Sequence, residues 1–480
     1  MKKFILVIFV GINPVVLPNP SLLPFETLKK APPEIIKVME SSPRTYTFKS
    51  RFTSETSVFY TGQVFRNVLM AAIKNSLNSY TRGNFSGNEE NVANIINSYY
   101  QYSSLPVVQG PGIIDGLSEI NISAKDISGS PIPTSEYVYD DIQESGKDLK
   151  SKMAGIDNPL RNKTLLGWRS IKTPHELIQS LIALYAKNTV SEKPFSVPNG
   201  TNPKQSINES HITADGLDIS QIIQKFLYGA ISFSQTAGDY LSTDLGPTKG
   251  INADNTNPAK QGAPYTALEH HFDEAFGYWG AARDFLNYSD QESMKKLSID
   301  TNRDGLIQIK EEKNLGMSVN ASRVDKTAFD QDINLSNEIM LAFLKGRHLI
   351  TKRPTNYEKY LKANVEIILN GIEKTYAALT IHYINKTLNE YSEYGTTKYL
   401  YKDFVKFWSE LKGYALAFQF RPKAIMSTDK FTKIHSLLGI RPVLPHEPLE
   451  KVALYKKQLS DVRSELKGIY NFSNNNIMNW

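Results

Sequence analysis

The clearest chemical pattern in the chain is a run of oxygen-bearing side chains at alternate positions. It reads Asp300-Thr301-Asn302-Arg303-Asp304-Gly305-Leu306-Ile307-Gln308-Ile309-Lys310-Glu311. Calcium takes about six to eight hard oxygen ligands around one point. Asp300, Asn302 and Asp304 supply side-chain oxygens, and Gly305 permits the sharp turn that brings later ligands round. Leu306 is expected to offer its backbone carbonyl, Gln308 to bind directly or through water, and Glu311 to supply the bidentate carboxylate. Ile307 is the apolar residue expected to pin the loop. The run therefore reads as a single EF-hand-type calcium loop; Asp215-Gly216-Leu217-Asp218 is only a fragment of another. An unpaired loop points to calcium held as a structural clamp rather than as a signalling switch.

A second constellation is Glu269-His270-His271-Phe272-Asp273-Glu274-Ala275-Phe276-Gly277-Tyr278-Trp279. On a helix, His271, Glu274 and Tyr278 fall together at i, i+3 and i+7, on the edge of an apolar stripe. His270 and Asp273 form another pair, on a side expected to be more exposed. An imidazole and a carboxylate on one face can form half of an iron or zinc site completed by other helices. His382 is the candidate to approach from across the core, and Glu373 is a weaker companion. The alternative is a polar seam in which His271 and Glu274 bond to each other and to tyrosine hydroxyls. No second His follows either His at i+4, so the HExxH pair of zinc proteases is absent. GxSxG, P-loop and strand-linked GxGxxG motifs are absent too.

Bulk properties narrow the class. The 480 residues are 40% hydrophobic and 22% charged, an ordinary globular balance. Zero cysteines exclude disulfides, thiolate catalysis, cysteine-ligated zinc and a lipid anchor on cysteine. A net charge of +6 comes without a basic block interleaved with aromatics, so no nucleic-acid partner is expected. Lys2 and Lys3 precede an apolar stretch from Phe4 to Val10, which reads as an export signal over residues 1–17. The expected location is the periplasm or cell surface. No apolar run reaches membrane-spanning length, so no integral span is expected.

The elements that must position these residues are mostly helical. Residues 18–41 read as an extended Pro-rich segment, and Thr45–Tyr60 as strand or coil. Helices are expected over Gly62–Tyr80, Asn88–Tyr102, Thr173–Lys187 with Thr173 as N-cap, Leu217–Leu241, Tyr265–Leu286, Asp332–Ile350, Tyr357–Tyr391, Tyr401–Phe420 and Leu449–Ile469. Residues 105–159 and 191–213 are rich in loop formers and read as irregular excursions. The fold class is all-α, a helical bundle with long irregular loops. A helical domain over 42–422, in one piece or two bundle halves, carries a C-terminal helical extension over 423–480.

Several motifs together carry a resemblance. They include Tyr60-Thr61-Gly62-Gln63-Val64-Phe65-Arg66, Gln221 to Ala230, Leu268 to Trp279, the calcium-type loop, Phe343-Leu344-Lys345-Gly346-Arg347, Ile381 to Asn385 and Trp408 to Gly413. This series, over about Ser42 to Pro422, resembles an uncharacterised family of bacterial cell-envelope proteins, itself similar to the imelysin-like proteins. That resemblance implies an exported helical bundle linked to iron uptake. His271 and Glu274 match the His and Glu of the imelysin GxHxxE motif, with Glu269 where the motif has Gly. The expected function is a calcium-stabilised protein that binds a metal or metal complex, with His271, Glu274, His382 and Tyr278 as ligands. The alternatives are an imelysin-like metallopeptidase on the same residues, and a surface interaction or adhesion protein that meets envelope partners through its loops.

Overall fold

The computed structural model describes residues 23–102, 147–330 and 333–480. The expected export signal and most of the excursion at 105–159 lie outside these residues.

The chain begins with two short helices, α1 (Leu23–Lys29) and α2 (Pro33–Glu40). The expectation of an extended segment here is corrected. Pro33 sits in the first helical turn, where its missing N–H is no loss. Ile35 and Met39, one turn apart, are buried. Residues 45–60 form an ordered coil with a single bridge between Lys49 and Thr56. Then follow α3 (Thr61–Leu77) and α4 (Glu89–Tyr100), the latter opened by an Asn88 capping box. α5 (Pro174–Val190) starts at Thr173, the expected N-cap, whose side chain accepts from the Glu176 N–H in a capping box.

The stretch at 191–213 is not wholly irregular. It holds an antiparallel hairpin, β1 (Phe195–Asn199) with β2 (Asn202–Ile207). Gly200 turns it with a φ of 57°, and the polar Asn199-Gly200 pair is itself a hairpin signal. The helix expected over 217–241 is broken in type. α6 (Ile219–Leu227) passes into π-helical turns at Tyr228–Phe233 and Thr236–Tyr240. Such turns widen a helix locally and are frequent at functional sites.

α7 (Ala267–Trp279) carries the His/Glu motif. Three shorter helices follow: α8 (Asp290–Met294), α9 (Ile309–Glu312) and α10 (Gly316–Thr327). α11 (Leu335–Lys352) turns back into α12 (Tyr357–Glu393) through Arg353 and Asn356, both left-handed. At 37 residues α12 runs roughly 55 Å. Its Gly371 is where α11 crosses; a Cβ there would lie 2.6 Å from Ile339. α13 (Tyr401–Ala415) returns along α12 and tightens into a 3-10 turn over Leu416–Phe420. α14 (Thr428–Leu438), α15 (Leu449–Tyr470) and α16 (Asn474–Asn479) complete the chain.

The fold is mostly helical, with β1–β2 the one sheet among the described residues. The C-terminal helices join the main core. The Tyr470 hydroxyl donates to Glu373 at 2.8 Å, and Asn385 donates to the Trp480 carbonyl at 2.8 Å. One continuous hydrophobic cluster runs from Ala31 to Trp480. No helix among the described residues is long and apolar enough to cross a membrane.

Candidate functional site

α7 is fixed at both ends. The Thr266 hydroxyl accepts from the Glu269 N–H, and the Glu269 carboxylate accepts from the Thr266 N–H at 2.9 Å, a capping box. Gly280 closes it at φ 84°, where a Cβ would meet the Leu315 carbonyl at 2.6 Å. In its last turn, Gly277 lets α3 approach; a Cβ would lie 2.8 Å from those of Tyr60 and Gln63. Asn67 of α3 donates to the Gly277 carbonyl at 3.0 Å.

One face of α7 is structural. Arg347 of α11 donates to Asp273 at 2.8 Å, to Glu269 at 3.1 Å and to Ser57 at 2.8 Å. The Tyr46 hydroxyl also donates to Asp273, at 2.9 Å. Arg347, Asp273 and Glu269 are all fully buried. Asp273 therefore does not lie on an exposed side as its sequence position suggests. Burial raises its pKa and Arg347 pulls it back, with Glu269 adding to the rise. Glu269, standing where the imelysin motif has Gly, holds the helix start and the ion pair together.

The other face opens to solvent. The neutral-leaning imidazole of His271, its pKa lowered mainly by burial, places Nδ1 3.3 Å from the Gly250 carbonyl. Nδ1–H donation there leaves Nε2 with its lone pair. Gly250 itself has φ 61°, and a Cβ would clash with the Ser242 carbonyl. Glu274 accepts from Gln63 at 2.8 Å and sits 3.8 Å from His270. Burial raises its pKa, and Gln63 and His271 oppose the rise. The Tyr240 ring, at the end of the π-helical segment, lies 6.1 Å from His271 and 5.9 Å from Tyr278. The buried Tyr278 hydroxyl has no hydrogen-bond partner among the described residues. His270 stacks on Tyr265 at 4.6 Å, and Phe59, 47% exposed, completes an aromatic wall at 5.8 Å.

His271, Glu274 and Tyr278 thus share one site, as their spacing predicts. His382 has other surroundings. It lies against Tyr383, and burial, Lys386 and Arg323 lower its pKa to about 4. None of those groups is a partner of His271. Glu373 is locked by Arg421 at 2.9 Å and by the Ile425 and Met426 N–H groups, both at 3.0 Å. Among the described residues, no group of three His, Asp or Glu side chains is gathered to hold a metal ion. Gln63, Tyr240 and Gly250 were not legible from the sequence, since nothing in their spacing ties them to α7.

Residues 300–311 run through an exposed turn into α9. Gly305 turns at φ 84° and Ile307 is buried. Asp300 accepts from the Asp304 and Gly305 N–H groups at 3.2 and 3.0 Å. Asn302 and Gln308 both donate to Asp304, at 3.0 and 2.7 Å, so the three polar heads converge. The Leu306 N–H donates to Asp304 at 2.9 Å. Glu311 departs from expectation: its carboxylate pairs with Arg283 at 3.0 Å. The carboxylate that reaches the loop is Glu312, which accepts from Thr301 at 2.8 Å and Gln308 at 3.0 Å. At the front of the loop the Asn302 and Gln308 side chains gather on the Asp304 carboxylate; at its end the Glu311 carboxylate is drawn to Arg283.

Residues 133–440 match a family described as a domain of unknown function, DUF4856. The chain belongs to that family. The DUF4856 match includes α5 to α14, and with them the His/Glu helix and the calcium-type loop. Gln63, Phe59 and Tyr46, which complete the α7 site and its ion network, lie before it. No curated protein and no solved structure matches the chain.

Proposed function

We propose that the chain is an exported, calcium-stabilised binding protein that takes a metal complex at the α7 face, in iron acquisition at the cell envelope. The observation that supports this is a neutral imidazole and a carboxylate one turn apart, facing an unpartnered buried phenol, beside a solvent-open aromatic wall. Such a set supplies one or two donors and a stacking surface. It suits a cargo that brings most of its own metal ligands. A metallopeptidase needs about three protein ligands and an open position on the metal, a set the α7 face lacks, so hydrolysis is the weaker reading. The proposed likeness to imelysin-like proteins rests on the motif series over about Ser42 to Pro422, above all the Glu269–Trp279 block followed by the calcium-type loop.

Calcium, where present, would be held by Asp300, Asn302, Asp304, Leu306 and Gln308, with Glu311 recruited from Arg283. Its role would be to clamp the segment between α8 and α10. Elemental analysis of the purified full chain after exposure to ferric nitrilotriacetate, compared with His271→Ala and Glu274→Gln, tests the cargo reading. Iron retained by the wild type and lost from both variants is expected. Equal iron in all three would sink the α7 assignment.

A further inference from the structure

α14 and α15 form an antiparallel helical hairpin. Near its closed end the Tyr455 hydroxyl donates to the Leu438 carbonyl at 2.8 Å. Towards the other end Lys430 of α14 reaches Glu465 of α15 at 2.7 Å. Between the two helices the surface is hollowed into an open groove of about 610 Å³. Its α15 wall, from Asp461 to Ile469, runs about 12 Å. Leu437 and Ile469, both half-buried against the core, supply the apolar part of the lining.

The α15 wall leaves room for close approach. Gly468 lies inside the helix, where glycine is a poor helix former. Among the described residues nothing requires it: a Cβ there would have no neighbour within 4 Å. Ser464, one turn earlier, is exposed too. Small side chains at a crossing let two helix axes come near. Leu454, seven residues before Asp461 and so on the same face, is 59% exposed. Charge is segregated along the groove. The α14 rim is basic, with Lys430 and Lys433; the α15 rim is acidic, with Asp461 and Glu465. Both lysines pair with Glu465 yet remain 49% and 53% exposed, and Asp461 is held only by Lys457 of its own helix. Exposed pairs of this kind are worth little, so they exchange partners readily.

We propose that this groove is a docking surface for a second copy of the chain, related by a two-fold axis along the groove. Such an axis lays α14 of each copy over α15 of the other at the same level. The basic rim of one copy then meets the acidic rim of its partner twice over, Lys433 of each facing Glu465 of the other. A two-fold axis across the groove would set lysines on lysines. A separate acidic helix would suit the α14 rim and be repelled by the α15 rim. The groove is short, so the dimer is a weak one, with a Kd on the order of 10–100 µM. α15 lies beyond the residues that match the family, and the surface is independent of the α7 face.

Sedimentation equilibrium of the full chain, up to about 200 µM, tests it, with circular dichroism to check that each variant is folded. The wild type should pass from monomer to dimer over that range. Gly468→Arg fills the groove from an exposed helical position and should weaken association at least about tenfold. The pair Lys430→Glu with Lys433→Glu makes both rims acidic, and the pair Asp461→Lys with Glu465→Lys makes both basic. Each double variant alone should stay monomeric, and an equimolar mixture of the two should associate. Should either double variant fail to fold, the wild type and Gly468→Arg still decide. A wild type that stays monomeric, undiminished association in Gly468→Arg, or a folded mixture that stays monomeric would overturn the proposal.

Discussion

Replacing Arg347 with Met probes the network that holds α7 in place. The guanidinium lies between Asp273 at 2.8 Å and Glu269 at 3.1 Å, all three side chains being fully buried, and over the Phe48 ring at 4.9 Å. Met fills much of the volume but leaves two buried acids with only the Arg51 guanidinium, 3.6 Å from Glu269, as a nearby cation. Breaking a buried pair by removing one partner costs about 3–5 kcal/mol. For a chain of this size that corresponds to a drop of roughly 1 M in the urea midpoint, read by circular dichroism. The pH dependence has a definite sign. The folded-state pKa of Asp273 is raised by burial, so the native state binds more protons than the unfolded chain above the unfolded pKa. That stabilisation is full at low pH and is lost as pH rises through the folded pKa. Removing Arg347 raises that pKa further, so the deficit of Arg347→Met should be larger at pH 8 than at pH 5. The double variant with Asp273→Asn should recover part of the loss. A deficit below about 1 kcal/mol, or one that does not change with pH, would refute the reasoning.

Three further outcomes follow from the same geometry. Millimolar calcium should raise the thermal midpoint of chelator-treated protein, by an increment of about 2.7 kcal/mol at a hundredfold excess over Kd, and Asp304→Ala should abolish the rise; identical melting with calcium and chelator would remove the clamp. Tyr278→Phe deletes a buried hydroxyl that has no partner among the described residues, a burden of about 1–3 kcal/mol. It should melt no lower than wild type while retaining less iron complex, and lower melting would mean the hydroxyl has a structural partner. Lys225, Lys313 and Lys412 are lowered to about 7 chiefly by burial. The unfolded chain then binds more protons between about pH 7 and 10, so urea stability should rise from pH 7 to pH 9; a flat or falling profile in that window would contradict their burial as neutral amines.

The sequence alone determined what is local. Thr173 with Glu176 three residues on starts α5 because capping needs only neighbouring atoms. The 3.6-residue period fixed α3, α7, α12 and α13 and the common face of His271, Glu274 and Tyr278. Alternate oxygens and Gly305 shaped the front of the calcium-type loop. Where the sequence misled, composition stood in for geometry: the Pro-rich stretch holds helices over residues 23–29 and 33–40, and polar residues 195–207 pair into a hairpin.

Tertiary packing decided the rest, because burial and long-range partners leave no mark on spacing. It turned Asp273 inward to Arg347, 74 residues away, and gave Glu311 to Arg283 while Glu312 took the loop. It brought Gln63, 211 residues distant, onto Glu274 and placed His382 among other charges. A helical period says which side chains share a face; only the packing of one helix on another says what that face meets.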